Sequence, residues 1–386
     1  MTTPNRPLSG VKVVALEQYI AAPYCTMWLA DYGAEVIKVE RPGGGDPRRS
    51  YEPLIFDEAG ENFTSGGFFS YNRNKRSAVI DLTTDEGRER YLELVADADV
   101  VVENLRPGAV DKLGLGYEDL KKVNPRLIYA AISGYGRTPG LPYTTRPAFD
   151  AAILAMSGIT QLTGDDPERP PQMPMYALAD MFSGVTAGYQ IMLSLFDRER
   201  SGEGRYIDVS MYESLLALNE RSVISHQFTG IVPQRGPDKY QAPVGAYETK
   251  TGYVAMVVPN DAIWQRLATV VGREDWKTDS RTATGEARSA NADAFDGDLR
   301  AWFSTRTREE AVEQLEAEGV PVGAVQTTAD LLECPHLTAR GAFVEVDDPI
   351  AGRIRAPHAP DGMSGYGPVP NHTIPVYGEM AKEESR

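Results

Sequence analysis

One carboxylate interrupts an otherwise apolar, small-residue stretch, Tyr176-Ala-Leu-Ala-Asp180-Met-Phe-Ser-Gly-Val-Thr-Ala-Gly188. The stretch reads as a short strand-like run that continues as a helix through about Leu195. Asp180 sits at the junction and allows two chemistries. A helix N-terminus stabilises negative charge, so Asp180 fits an N-cap. A carboxylate held in an apolar pocket fits a nucleophile or base, with Gly184 and Gly188 letting another segment approach closely. The stretch alone leaves both open.

The other reactive residue types narrow the field. The four histidines are His226, His336, His358 and His372. The segment holding Asp180 therefore has no imidazole, which excludes a local Ser-His-Asp or Cys-His arrangement and a His-rich zinc site. Cys25 and Cys334 lie far apart without metal-ligand spacing, and Cys25 falls in an apolar helical pattern as a packing residue. Paired carboxylates for glycoside chemistry have no signature here. Basic residues gather in three places: Lys38, Arg41, Arg48 and Arg49; Arg73, Lys75 and Arg76; Arg106 and Lys112. Each follows a strand end, which suits a small polyanionic ligand. Together these groups fit covalent catalysis by a carboxylate on an acyl group carried by an anionic handle. Spacing does not name the handle.

The elements that must position these groups read as alternating strands and helices. Val11–Leu16 is a buried strand, Ala22–Tyr32 a helix closed by Gly33, and Glu35–Val39 the next strand. That βαβ unit belongs to a parallel sheet. Its first turn is Gln18-Tyr-Ile-Ala-Ala-Pro23, without the G-x-G-x-x-G pattern, so a nicotinamide or flavin cofactor is not expected. Residues 47–73 show no period and read as a long surface excursion. Further strands at 78–81, 99–103 and 127–132 end in polar or glycine-rich segments, which marks the ligand edge of an open α/β sheet. A helix from 149 to 158, a strand at 204–210 and one helix over 211–228 follow. A Pro/Gly-rich linker at 230–243 leads to a hairpin turning near Lys250-Thr-Gly252, several helices, and a final return to strands.

With 386 residues, 42% hydrophobic and 24% charged, the chain has room for two domains of ordinary soluble composition. A net charge of −16 argues against nucleic acid as a partner. No apolar run is long enough to span a bilayer and the N-terminus lacks an apolar signal region, so no membrane association and a cytoplasmic location are expected.

A resemblance joins these pieces. Leu8-Ser-Gly-Val-Lys-Val-Val-Ala-Leu16, Gly33-Ala-Glu-Val-Ile-Lys-Val-Glu-Arg-Pro42, Asn74-Lys-Arg-Ser77, Glu103-Asn-Leu-Arg-Pro-Gly108, Arg146-Pro-Ala-Phe-Asp150, Ala179-Asp-Met-Phe-Ser-Gly184 and Gly202-Glu-Gly-Arg-Tyr-Ile-Asp-Val-Ser-Met211 run in order along the chain. They resemble the class III coenzyme A-transferases, the CaiB/BaiF family of formyl-CoA transferase, carnitine CoA-transferase and 2-methylacyl-CoA racemase. The resemblance implies an α/β fold: a Rossmann-like large domain without the dinucleotide fingerprint, a smaller α+β domain, and an interlocked homodimer. The expected domains are 1–225, 226–328, and a C-terminal return over 329–386.

For function, the resemblance implies that CoA moves from a donor acyl-CoA, succinyl-CoA being one candidate, to an acceptor carboxylic acid. Asp180 is the implied catalytic residue, passing through an aspartyl anhydride and an aspartyl-CoA thioester. Tyr19, Ile20, Arg41, Lys75, Arg76, Asn104, Leu105, Arg106, Lys112 and Arg146 are the implied contacts to CoA, which is a substrate and not a resident cofactor. No metal is expected. Two departures bear on subtype. The glycine-rich loop of formyl-CoA transferase has no counterpart beyond Gly236–Gly245, and the racemase histidine is replaced by Phe149. The alternatives are a 2-methylacyl-CoA racemase and a non-catalytic CoA-binding protein.

Overall fold

A computed structural model describes residues 6–60, 62–236, 242–360, 362–364, 366 and 372–380. Residues 237–241 of the expected linker, within the Gly236–Gly245 segment, lie outside the described residues. The chain divides into two compact units. The first comprises Met1–Gln161, Gln172–Pro233 and Ala339–Arg386, and the second Leu162–Pro171 and Gln234–Thr338.

In the first unit the elements run β1 (Lys12–Leu16), α1 (Ala21–Asp31), β2 (Glu35–Glu40), β3 (Leu54–Phe56), β4 (Phe63–Ser65), α2 (Gly66–Asn72) and β5 (Lys75–Val79). They continue with α3 (Asp85–Ala96), β6 (Val100–Glu103), α4 (Tyr117–Val123), β7 (Ile128–Ser133), α5 (Asp150–Met156) and α6 (Ile159–Leu162). Then come α7 (Leu178–Ser201), β8 (Arg205–Ser210), α8 (Met211–Leu218) and α9 (Glu220–Thr229). The principal sheet has six strands in the order β5-β2-β1-β6-β7-β8, every pairing parallel. That is the doubly wound order of a Rossmann sheet, reversing direction between β1 and β6. Side chains alternate across it, as the period of a strand requires. Val13, Ala15, Val100 and Val102 face a core shared with α1 and α7, while Val14, Leu16 and Val101 face one shared with α3 and α4.

Three local expectations are corrected. Residues 47–73 are more than a surface excursion; they contain a 3-10 turn at Pro47–Ser50, the β3–β4 hairpin and α2, and Arg48, Phe68 and Asn72 are buried. Helix 211–228 is two helices broken at Asn219, whose side chain reaches Ser157 O. Tyr176-Ala-Leu is not a strand, because Ala177 adopts a left-handed conformation (φ 62°) and α7 starts at Leu178.

The second unit contains β9 (Val244–Thr249), β10 (Gly252–Val257), α10 (Asp261–Val271), α11 (Gly285–Ala290), α12 (Asp296–Ser304), α13 (Arg308–Ala317), β11 (Val322–Ala324) and α14 (Thr328–Glu333). Its three-stranded sheet packs on a core of Trp264, Trp276, Phe295, Leu299 and Phe303. After α15 (Pro335–Ala339), β12 (Phe343–Asp348), β13 (Gly352–Pro357) and β14 (His372–Thr373) form a small sheet of the first unit, where Val346, Ala356 and Ile374 pack with Phe68 of α2. Among the described residues no helix is long and apolar enough to cross a membrane.

Candidate active site

A cavity of about 370 Å³ opens at the carboxyl ends of β1, β6 and β7 in the first unit. Its lining includes Gln18, Tyr19, Ile20 and Ala21 after β1, Asn104, Leu105 and Arg106 after β6, and Ser133–Tyr135 after β7. Residues 144–149 and Asp180 complete it. The β1/β6 boundary is where the sheet order reverses, the usual ligand crevice of such a sheet. Gln18 and Asn104 clamp it: the Gln18 backbone N–H donates to Asn104 Oδ1 (3.0 Å), and Asn104 Nδ2 donates to Gln18 O (2.8 Å).

Asp180 lies in the first turn of α7, yet it does not cap that helix. Asp150, at the start of α5, does so across a gap of thirty residues. Its carboxylate accepts from the backbone N–H groups of Ala177 (3.1 Å), Ala179 (2.7 Å) and Asp180 (3.3 Å). Three of the helix's open donors are thereby satisfied by a buried anion, and the Asp180 side chain is released from that duty. The N-cap reading of Asp180 is overturned, because another carboxylate occupies the position.

Helix α7 is pinned in depth by Gly184, one turn after Asp180. A Cβ there would lie 2.6 Å from Ala21 O and 3.2 Å from the Cys25 backbone nitrogen, so only glycine permits this approach of α7 to α1. Gly188 has no such need, its nearest neighbour being Cys25 Sγ at 3.8 Å. The close crossing holds Asp180 beside the N-terminus of α1, which has no side-chain cap. Burial, and then the Asp150 carboxylate, push the Asp180 carboxyl up to about 7 against the opposing pull of Arg48. A carboxylate so raised is a stronger base and nucleophile than an ordinary one while still ionising near neutrality.

Beneath the cavity runs a buried ion network. Glu17, fully enclosed, takes hydrogen bonds from Lys75 Nζ (2.7 Å) and Thr26 Oγ1 (2.7 Å). Lys75 Nζ also donates to Pro23 O and Asn72 Oδ1, both at 3.0 Å. Lys38 pairs with Asp46 at 2.9 Å, and Asp46 Oδ1 accepts from the Tyr19 backbone N–H at 3.2 Å. Buried charges persist when paired in this way. Here they support the Gln18–Ile20 turn, in which Tyr19 holds an uncommon positive φ of 65°.

Of the expected ligand contacts, the structure brings Tyr19, Ile20, Asn104, Leu105, Arg106 and Arg146 together with Asp180. Arg146 lies over the Tyr143 ring at 3.8 Å and is exposed at the rim. Four residues stand elsewhere. Lys75 is corrected outright, since its ammonium is enclosed by Glu17, Asn72 and Pro23 and reaches no open space. Arg41 is exposed, with Nε donating to Gly45 O, and Arg76 is paired with Glu35. Neither lines the cavity, and neither does the exposed Lys112. The first two basic clusters are therefore mainly internal: Lys38 answers Asp46 and Glu17, Arg49 answers Glu40, and Arg73 answers Asp31. Sequence reasoning missed Asp150 and Gln18. The acidic residue opening the apolar helix at 150 was a visible signal, but its target, the turn at 177–180, lies in another part of the chain. Among the described residues no cluster of His, Cys, Asp and Glu is placed to hold a metal.

Known proteins resemble the chain over nearly its whole length. The model of CoA-transferase family III matches residues 8–380. A succinyl-CoA:mesaconate CoA-transferase of Haloarcula hispanica is 37% identical, over 97% of this chain and 95% of the relative. A succinyl-CoA–D-citramalate CoA-transferase of Chloroflexus aurantiacus is 35% identical, over 98% and 93%. The crystal structure of a CaiB/BaiF family protein from Brucella suis superposes with a TM-score of 0.88 at 35% identity, covering 99% of this chain and all of that one.

Proposed function

The chain belongs to CoA-transferase family III and is an enzyme of that type, and on that premise we propose that Asp180 relays CoA covalently from a succinyl-CoA-like donor to a carboxylic acid acceptor. The observation that carries this reading is the release of Asp180 from capping, by Asp150, into the cavity at the switch point. Its carboxylate oxygen attacks the thioester carbonyl, the C–S bond breaks, and CoA leaves as thiolate. The mixed anhydride so formed is attacked by that thiolate at the aspartyl carbonyl, which expels the donor acid and leaves CoA as a thioester on Asp180. The acceptor carboxylate then attacks that thioester, a second anhydride forms, and the thiolate takes the acceptor acyl group, restoring Asp180. The uncapped N-terminus of α1 at Ile20 and Ala21 supplies backbone N–H groups for developing negative charge. Arg106 and Arg146, at the cavity rim, suit the phosphates of CoA.

The family resemblance also leads us to propose a homodimer. Helix α9 has no buried residue and exposes Val223, Ile224 and Phe228, the last at 87%, while α7 exposes Tyr189, Leu193 and Phe196. Apolar surface on this scale is covered in stable assemblies.

The test of the transfer reading is peptide mass spectrometry after mixing the protein with a panel of acyl-CoAs and no acceptor. An acyl or CoA adduct on the peptide holding Asp180 is expected. Exchange of the α-proton into heavy water without an adduct would point to a racemase instead, although among the described residues no histidine lines this cavity.

A further inference from the structure

Among the described residues, Arg48 is a buried cation without a paired anion. The residue is 7% exposed, yet its side chain makes one hydrogen bond there, from Nε to Gly67 O at 2.7 Å. Lys38, Lys75, Arg73, Arg137 and Arg198, all similarly buried, each face a carboxylate. The Arg48 guanidinium instead lies 5.1 Å from the ring centroids of both Tyr51 and Tyr71. Two aromatic faces steady the group and offset part of its desolvation, but they leave the terminal Nη hydrogens unanswered. Neither Nη nitrogen is among the fully enclosed side-chain atoms that lack a partner, so both remain open to an incoming anion.

Its position relative to the catalytic cavity gives the anion a chemistry. The Tyr51 ring meets Tyr19 edge-on at 6.4 Å, and Tyr19 meets Phe149 edge-on at 5.7 Å. Tyr19 and Phe149 line the cavity with Asp180, so Arg48 adjoins that side of it through Tyr51. Tyr71 feels the charges of both Arg48 and Asp180, and Asp180 feels that of Arg48. Gly67 lets α2 pack closely against this corner, since a Cβ there would lie 2.7 Å from Tyr51 Cβ and 3.3 Å from Arg48 Nη2. The rim cations Arg106 and Arg146 are exposed and suit phosphates, whereas a guanidinium set between two tyrosine rings suits a flat, compact carboxylate that its edge can hold with two parallel bonds.

We propose that Arg48 is a specificity-determining residue that binds the distal carboxylate of a dicarboxylic acyl group while Asp180 attacks the carbonyl at the other end. The proposal rests on the transfer reading above. A dicarboxylic acid joined to CoA through one carboxyl retains the other, as succinyl does, whereas a monocarboxylic acyl-CoA of equal length offers Arg48 a methyl group.

The experiment compares kcat/KM for succinyl-CoA against butyryl-CoA, and for glutaryl-CoA against valeryl-CoA, in wild type, Arg48→Gln and Arg48→Lys. The ratio within each pair is the readout, because any change Arg48 imposes on Asp180 acts on both members alike. Wild type is expected to favour the dicarboxylic member. Arg48→Gln is expected to cut that ratio by roughly 10- to 100-fold, the size of a lost charge-assisted hydrogen bond, and Arg48→Lys to restore part of it. Transfer by wild type without a dicarboxylic preference, or a preference that survives Arg48→Gln, would overturn the assignment and leave the transfer reading standing. An equal rise of KM for both members would place Arg48 on the CoA portion and overturn it as well. No reaction with any acyl-CoA would overturn the transfer reading, and this assignment with it.

Discussion

Two aspartates thirty positions apart divide a task that one could not perform alone. Asp150 spends its lone pairs on the N–H groups that open α7, so it is fixed in place. Asp180 takes no part in that cap, and its carboxyl is raised to about 7 by burial and by its neighbour. Asp180→Asn should reduce transfer by at least about 10³-fold in a protein with unchanged circular dichroism. Its stability should also show the origin of the shift. The folded state holds the Asp180 proton to higher pH than the unfolded chain does, so ionisation costs stability progressively from about pH 4 to about pH 7 and fully above that. Asp180→Asn should therefore melt higher than wild type at about pH 8, with the difference closing toward about pH 4. Asp150→Asn removes the neighbouring charge. The acidic limb of the rate profile, which should rise through about pH 7 in wild type, should move to lower pH in that variant, and the weakened cap should cost about 1–2 kcal/mol of stability. A limb that does not move would remove Asp150 from the electrostatics of the site.

At the scale of elements, the crossing of α1 and α7 sets where the nucleophile stands. Gly184→Ala places a methyl 2.6 Å from Ala21 O, in backbone that cannot yield as a flexible side chain would. A loss of about 1–3 kcal/mol in denaturant unfolding is expected, together with slower transfer as Asp180 is displaced from the α1 terminus. Gly188→Ala, whose new methyl would meet only Cys25 Sγ at ordinary contact distance, should leave both nearly unaltered. Much at this scale was legible in the chain. The buried strand within Val11–Leu16 and the hairpin turn near Lys250-Thr-Gly252 are local patterns, and both occur where those patterns put them. Gly184 was readable as a close-approach residue because glycine weakens a helix interior unless another segment packs against its bare backbone. The ion network was not readable. Lys75 meets Glu17 across 58 positions and Arg73 meets Asp31 across 42, so basic runs that resembled a ligand surface are neutralised by carboxylates that no local window contains. Asp150 escaped for the same reason: a cap supplied from another helix leaves no mark on the helix it caps.

Across the whole molecule, the parallel sheet, the cavity at its reversal and the strained Tyr19 and Ala177 turns converge on one site within the first unit. The exposed apolar faces of α7 and α9 lead to an expected solution mass of two chains by light scattering at micromolar concentration, and a monomer there would refute the dimer. The covalent route itself predicts where atoms go. When the acceptor acid carries heavy oxygen in its carboxylate, its attack on the aspartyl thioester places one of those oxygens in the anhydride bridge, and release of the new acyl-CoA leaves that oxygen on Asp180. The most direct measurement is therefore peptide mass spectrometry of the enzyme after turnover with a labelled acceptor in ordinary water. One heavy oxygen on the peptide holding Asp180, and its appearance in the released donor acid after further turnovers, is the predicted result. Active transfer with an unlabelled Asp180 peptide, both acceptor carboxylate oxygens being accounted for elsewhere, would contradict the account.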